Sequence, residues 1–228
     1  MQFKERILLW EPISLGFFMV SMLAWVVLVA IAIRRLLKRF DRIRVLRLAY
    51  ECELAVGQEL DQLMRFGFRV FHDVQAGKFN VDHLVIGPAG VFAVETKGRS
   101  KRMDDAAGGG KTVYRVAYEN GVLTFPGWSE SEPPKQAARQ ASWANKWLSE
   151  AVGFPVLVKP VVVLPGWYVE NKDNPAVPVI ASGYIEKFFR SQRPQALSPQ
   201  QIQQISYQVD QKVRDLPPGE VGKPLSES

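Results

Sequence analysis

Apolar residues run without a charge from Ile13 to Ile33, the longest such stretch in the chain. At about 1.5 Å per residue that run matches the hydrocarbon thickness of a bilayer, so the pattern predicts one membrane-spanning helix over residues 13–33. A cleaved signal peptide has a shorter apolar core and a small-residue cleavage site. Here the core is longer and basic residues follow it directly, so the segment reads as an uncleaved anchor. From Arg34 to Phe66 there is no proline and only Gly57, and the helical pattern continues. Leu48, Cys52, Leu54, Ala55, Leu60, Leu63 and Met64 are expected to form one apolar face, with Gly67 ending the helix.

Beyond Gly67 the period shortens to that of strands. Phe68–Val74 is one predicted strand; Val81–Ile86 and Val91–Glu95 form a hairpin about the Gly-Pro-Ala-Gly turn at 87–90. Thr112–Tyr118 and Val122–Phe125 make a second hairpin around Glu119-Asn120-Gly121. Ser100–Lys111, with three consecutive glycines, reads as a flexible connection. Pro133 and Pro134 open a helix reaching Ala151, Val156–Leu164 and Val177–Ala181 are further strands, and Ser198 caps a last helix beginning at Pro199 and ending near Asp215. The order predicts an α/β fold, a mixed sheet flanked by helices and preceded by one transmembrane helix. Its parts are a short non-cytoplasmic N-terminus over 1–12, the span over 13–33, a basic juxtamembrane helix over 34–47, a domain over 48–216 with a C-terminal helical extension, and a disordered tail over 217–228.

Charge sharpens this layout. Arg34, Arg35, Lys38, Arg39, Arg42, Arg44 and Arg47 face only Asp41, a net of +6 that equals the net charge of the whole chain. The remainder carries 22 basic and 22 acidic residues, so the high isoelectric point is not a sign of nucleic-acid binding by the domain. Basic residues just after a span place that side in the cytoplasm, so the expected location is a bacterial inner membrane, single-pass, with the C-terminal domain cytoplasmic. A single cysteine, Cys52, excludes an intrachain disulfide or a cysteine-rich zinc site, and two histidines leave little for a histidine-based centre.

The candidate chemistry lies in the first hairpin. A turn centred between Pro88 and Ala89 pairs residues whose numbers sum to 177, which sets Asp82 opposite Glu95. Facing carboxylates repel, and a divalent cation between them would remove the repulsion. Lys97, two residues past Glu95, points to the same face. Oxygen ligands with a nearby ammonium suit a hard cation, magnesium or manganese, and charge stabilisation on a phosphate. His83 points to the opposite face and reads as a packed or surface histidine. His72-Asp73 reads as an ordinary strand end, Cys52 as a small buried helix residue, and Trp128, Trp143 and Trp147 as packing residues. Arg99, Lys101, Arg102, Lys111 and Arg115 could meet phosphates or form a solvated face balanced by Asp104 and Asp105.

These residues bring the chain close to a known family. Glu53-Leu54-Ala55-Val56-Gly57-Gln58-Glu59-Leu60, the block from Val81 to Phe92, Glu95-Thr96-Lys97 and Pro134-Lys135-Gln136-Ala137 together resemble the nuclease-related domain family over about Leu48 to Leu164. The resemblance implies a restriction-endonuclease-like fold with an Asp…Glu-x-Lys site. It implies that Asp82 and Glu95 bind Mg2+ or Mn2+, that Lys97 orients the attacking water, and that Glu53 on the first helix and Gln136 on a later one complete the catalytic set. The family commonly has glycine before that helix glutamate where this chain has Cys52, which leaves Glu53 and Glu59 as alternatives. The expected function is a membrane-anchored, metal-dependent nuclease hydrolysing phosphodiester bonds in nucleic acid, DNA first, with the bilayer as its other partner. The alternative is a non-catalytic, membrane-tethered binding or assembly module on a nuclease-like fold.

Overall fold

The computed structural model describes residues 15–101, 114–193 and 197–214 and divides into two compact units, Met1–Arg47 and Leu48–Ser228. The expected N-terminal segment 1–12, the tail 217–228, Arg102, Lys111 and most of the glycine-rich connection lie outside the described residues.

In the first unit the described chain is helical throughout. Helix α1 runs Leu15–Asp61, and its last turns belong to the second unit. Its apolar N-terminal part makes it the helix, among the described residues, long and apolar enough to cross a membrane. Phe17, Leu23, Trp25 and Leu28 are all exposed.

The second unit is a mixed α/β body. The end of α1 buries Val56 and Leu60 against a sheet, and the turn that follows adds Leu63, at spacing i, i+4, i+7. Leu54, Ala55 and Met64, expected on that face, are exposed. The sheet covers one stripe only, and Leu54 lies on the far side of the helix from Val56. A 3-10 turn over Gln62–Phe66 follows, and Gly67 ends it at φ 81, a left-handed conformation costly for other residues.

Strands β1 (Arg69–Gln75), β2 (Asn80–Gly87) and β3 (Gly90–Thr96) form an antiparallel meander. The β2–β3 register runs from Gly87↔Gly90 to His83↔Val94, the pairing the turn predicted. After β3 the chain makes β4 (Arg115–Glu119), β5 (Val122–Phe125) and β6 (Trp128–Glu130), then helix α2 (Glu132–Val152) with its two prolines in the first turn. Strand β7 (Val158–Leu164) returns parallel to β3; β8 (Tyr168–Asn171), β9 (Val179–Ala181), α3 (Ile185–Ser191) and α4 (Pro199–Arg214) complete the unit. The main sheet has the order β1-β2-β3-β7-β9 and the second β6-β5-β4-β8. Ser198 caps α4 as expected: its hydroxyl accepts from Gln201 N–H, while the Gln201 side chain accepts from Ser198 N–H. Short β6, β8 and α3 have no counterpart in the sequence reading.

Strand β3 is buried along its whole length because both faces of the main sheet are covered. Val91 and Ala93 join the core formed with α2 and α4. Phe92 and Val94 join the one formed with α1 and α3. Strict alternation therefore carries Glu95 to the α2 side and Thr96 to the α1 side.

Candidate active site

The alternation slips where the carboxylates stand. Val74 and Val81 pack in the α2–α4 core, yet His72 and His83, two residues away along each strand, lie against Gly57 of α1. Residues two apart on a regular strand share a face. The switch falls at Asp73, whose φ of 51 is left-handed, and at Asp82 opposite it. The β2–β3 ladder ends here too, at His83↔Val94. Asp82 and Glu95 thus stand just beyond the last regular pair, and the Thr96 N–H donates to Asp82 Oδ2 at 2.8 Å. The expected register is right, but the Asp82 carboxylate takes a ladder hydrogen bond that a backbone carbonyl would otherwise accept.

Glu95 is buried and held on both oxygens. Lys97 Nζ donates to Oε1 at 2.7 Å, and Oε2 accepts from Gln136 Nε2 at 3.0 Å and Gln140 Nε2 at 2.6 Å. Lys97 Nζ also donates to Gln136 Oε1 at 2.9 Å, closing a ring of Glu95, Lys97 and Gln136. The Lys97 main chain is fixed by its N–H to Val163 O on β7. Gln136 and Gln140 are one turn apart on α2, so a single helix face presents both amides. Sequence reading found the first and missed the second, although the four-residue spacing was the available signal. Gln140 Nε2 also reaches Asn80 O, while its buried Oε1 has no hydrogen-bond partner among the described residues.

Burial, and next the charge of Glu95, push the Asp82 carboxyl well above the usual range; the Thr96 N–H opposes the shift, and Glu53 adds to it. Glu53 is likewise raised, by burial first and then by Asp73 and Glu95. The structure therefore brings Glu53 into the electrostatic neighbourhood of Asp82 and Glu95, whereas Glu59 points outward and is exposed. Asp73, read as an ordinary strand end, is a fourth carboxylate of this neighbourhood, hydrogen-bonded to Asn80 Nδ2 at 2.6 Å. Its backbone conformation has no mark in the sequence.

Two hard oxygen donors side by side, one of them held above its usual range by burial and then by its neighbour's charge, are the kind of set a divalent cation stabilises, so Asp82 and Glu95 fit Mg2+ or Mn2+ in chemistry. Among the described residues no group of three or more His, Cys, Asp or Glu side chains is drawn together closely enough to hold an ion. The fit therefore rests on that pair and does not extend to Glu53.

Behind β3, on the α1 side, His83 is buried. Its Nε2 lies 3.2 Å from Thr96 Oγ1 and its Nδ1 2.8 Å from His72 Nδ1; His72 Nε2 lies 3.1 Å from Asp61 Oδ1. The Asp61 carboxylate only accepts, so a neutral His72 carries its proton on Nε2 and accepts at Nδ1. His83 then donates from Nδ1 and accepts from the Thr96 hydroxyl. Burial, and then His72, lower the His83 pKa to about 3, which keeps it neutral.

Of the flanking cations, Arg99, Lys101 and Arg115 are among the described residues, and each has a partner within the protein. Arg99 forms a two-point pair with Glu130, at 2.8 and 2.6 Å, and its carbonyl accepts from Trp167 Nε1. Lys101 lies over Tyr114, and Arg115 over Tyr168. Trp143 and Trp147 stack on each other, and Trp128 stacks on Phe125, as packing residues do. Cys52 is half-buried, with its thiol pushed up chiefly by burial. A Cβ built on Gly98 would lie 2.9 Å from the Cys52 sulfur, so the glycine after Lys97 makes room for it.

Comparison with curated proteins and with solved structures gives no match. The family model for the nuclease-related domain matches residues 48–165, just over half of the chain and nearly all the residues that build this site. The buried Glu95 clamp, with Asp82 at the end of its ladder, thus stands on a chain that belongs to the nuclease-related domain family.

Proposed function

We propose that this protein is a membrane-anchored nuclease that uses Mg2+ or Mn2+ to hydrolyse phosphodiester bonds in nucleic acid, DNA before RNA. One observation carries the reading. A buried glutamate, Glu95, is oriented by Lys97, Gln136 and Gln140 beside a second carboxylate, Asp82, whose charge the fold disfavours. A fold stabilised by that site alone would gain from an apolar pair instead. Asp82 and Glu95 would hold the cation, which when bound supplies an activated water and polarises the phosphate. Gln136 and Gln140 fix the Glu95 oxygens. Lys97, shared between Glu95 and Gln136, orients the attacking water and offsets negative charge on the phosphate. Glu53, with its raised pKa, belongs to the same acidic neighbourhood without joining the pair that would hold the cation. The apolar part of α1 would anchor the protein in a bacterial inner membrane, and the basic residues after it favour a cytoplasmic domain.

The test is cleavage of circular DNA, linear DNA and RNA by the full chain in nanodiscs, with magnesium, with manganese and with chelator. Metal-dependent cutting that is lost in Glu95→Gln and in Asp82→Asn is the expected result. Cutting that persists in either folded variant removes that residue from the mechanism. The neutral charge of the domain favours a second reading, a non-catalytic binding module, and no cutting by a folded wild-type sample on any substrate would select it.

A further inference from the structure

Past the apolar run, α1 should turn polar all round if it simply crossed to the domain. It does not. Ile33, Leu36, Phe40 and Ile43 recur at steps of three, four and three, and each is more than half exposed. In sequence the same spacing continues through Arg47 to Tyr50 and Leu54, both also more than half exposed. Six of seven positions in a 3.5-residue repeat are therefore apolar over three heptads in which most other residues are charged or small. That repeat is the pattern of a helix that winds along another helix. A helix lying flat on lipid carries a similar stripe, but α1 runs unbroken from the apolar run to Asp61, with no break at which the stem could turn onto the surface.

Charge supports the same occupant. At about 100° per residue, Ile33, Leu36, Phe40 and Ile43 fall within an arc of about 80°. Arg34, Arg35, Lys38, Arg39 and Arg42 fall within an arc of about 140°, centred some 150° away around the helix. Two copies that close their apolar stripes thus point Arg34, Arg35, Lys38 and Arg42 away from the seam, while Arg39 and Arg44 lie beside its two edges. Leu37 also flanks the stripe, and Val45 and Leu46 lie among the basic residues. Arg47 is the one charged position on the seam, the kind of interruption that fixes register at some cost in stability.

We propose that this stem is a self-association surface: two copies of the chain pair in parallel through Ile33, Leu36, Phe40 and Ile43. The parallel direction rests on the anchor reading, since both copies would enter one membrane in the same orientation. The pairing does not depend on nuclease activity.

Disulfide scanning tests it on the full chain in isolated membranes. Cys52 is replaced by alanine, single cysteines are placed at positions 35, 36, 38, 40, 42 and 43, and copper-phenanthroline is the oxidant. The pairing predicts rapid dimer formation at 36, 40 and 43 and at least tenfold slower reaction at 35, 38 and 42. Equal rates at all six positions, or a maximum at 38 and 42, would overturn it. Phe40→Glu combined with Ile43→Glu should halve the protein mass measured by light scattering in detergent; a wild-type monomer there, with no stripe-specific cross-linking, also overturns it. Alkaline carbonate extraction of the same membranes reads the anchor separately, so release of the chain would count against the anchor whatever the cross-linking pattern.

Discussion

His83 makes the interior of this domain sensitive to acid by an amount that can be worked out. Its pKa is about 3 in the fold, against an ordinary value of 6.5. Between those limits the unfolded chain binds a proton that the native state refuses, so the stabilisation is complete above about pH 6.5 and is lost as pH falls toward 3. With one proton of difference, the loss approaches about 1.4 kcal/mol per pH unit and sums to about 2–3 kcal/mol from pH 7 to 4.5. That is a sizeable part of the 5–15 kcal/mol typical of a domain. Asp82 acts with the opposite sign: its raised pKa favours the fold at low pH, and this contribution is lost as pH rises through the raised value. The assay is urea denaturation of the Leu48–Ser228 unit, followed by tryptophan fluorescence, for wild type and His83→Gln at several pH values. Both proteins share Asp82, and repeating the pair in an Asp82→Asn background removes its contribution. The wild-type stability should fall more steeply on acidification, by about 2–3 kcal/mol over this interval. Parallel curves would refute the claim that His83 is held neutral by burial.

Gln140→Leu removes the 2.6 Å hydrogen bond to the buried Glu95 carboxylate and should cost about 1–3 kcal/mol, moderated by loss of the unpartnered Oε1. Manganese binding by calorimetry should weaken with it, and unchanged stability and affinity together would show that Gln140 does not position Glu95. Gly98→Ala places a Cβ 2.9 Å from the Cys52 sulfur and 3.2 Å from Leu48 O, and should destabilise by about 1–3 kcal/mol. Cys52→Ala in the same chain should recover part of that loss, and strictly additive effects in the double-mutant cycle would exclude the contact as its cause.

The local rules wrote much of this protein into its sequence. The uncharged, proline-free run before Arg34 reads as one long helix, and α1 covers it from Leu15. The Gly-Pro-Ala-Gly turn fixes the register of β2 against β3, because a side-chain period of two leaves no half-step. That register set Asp82 and Glu95 beside each other, and alternation set Lys97 with Glu95 and turned His83 away. What the sequence could not contain is how distant segments meet. Only packing of α2 on β3 puts Gln140 on Glu95, 45 residues away. Only the fold draws Glu53 to the carboxylates and turns Glu59 out to solvent, a choice the residue types leave open. Arg99 lies within two residues of Lys97 and looks free to meet a phosphate until β6 brings Glu130 to it. The slip of alternation at Asp73 and Asp82 is likewise a tertiary event, because a left-handed aspartate is held only by what surrounds it. Periodicity and turn chemistry are properties of neighbours along the chain. Burial and the pKa shifts that follow from it depend on which segments pack together, so the chain placed the candidate residues and the fold decided their partners and their charge.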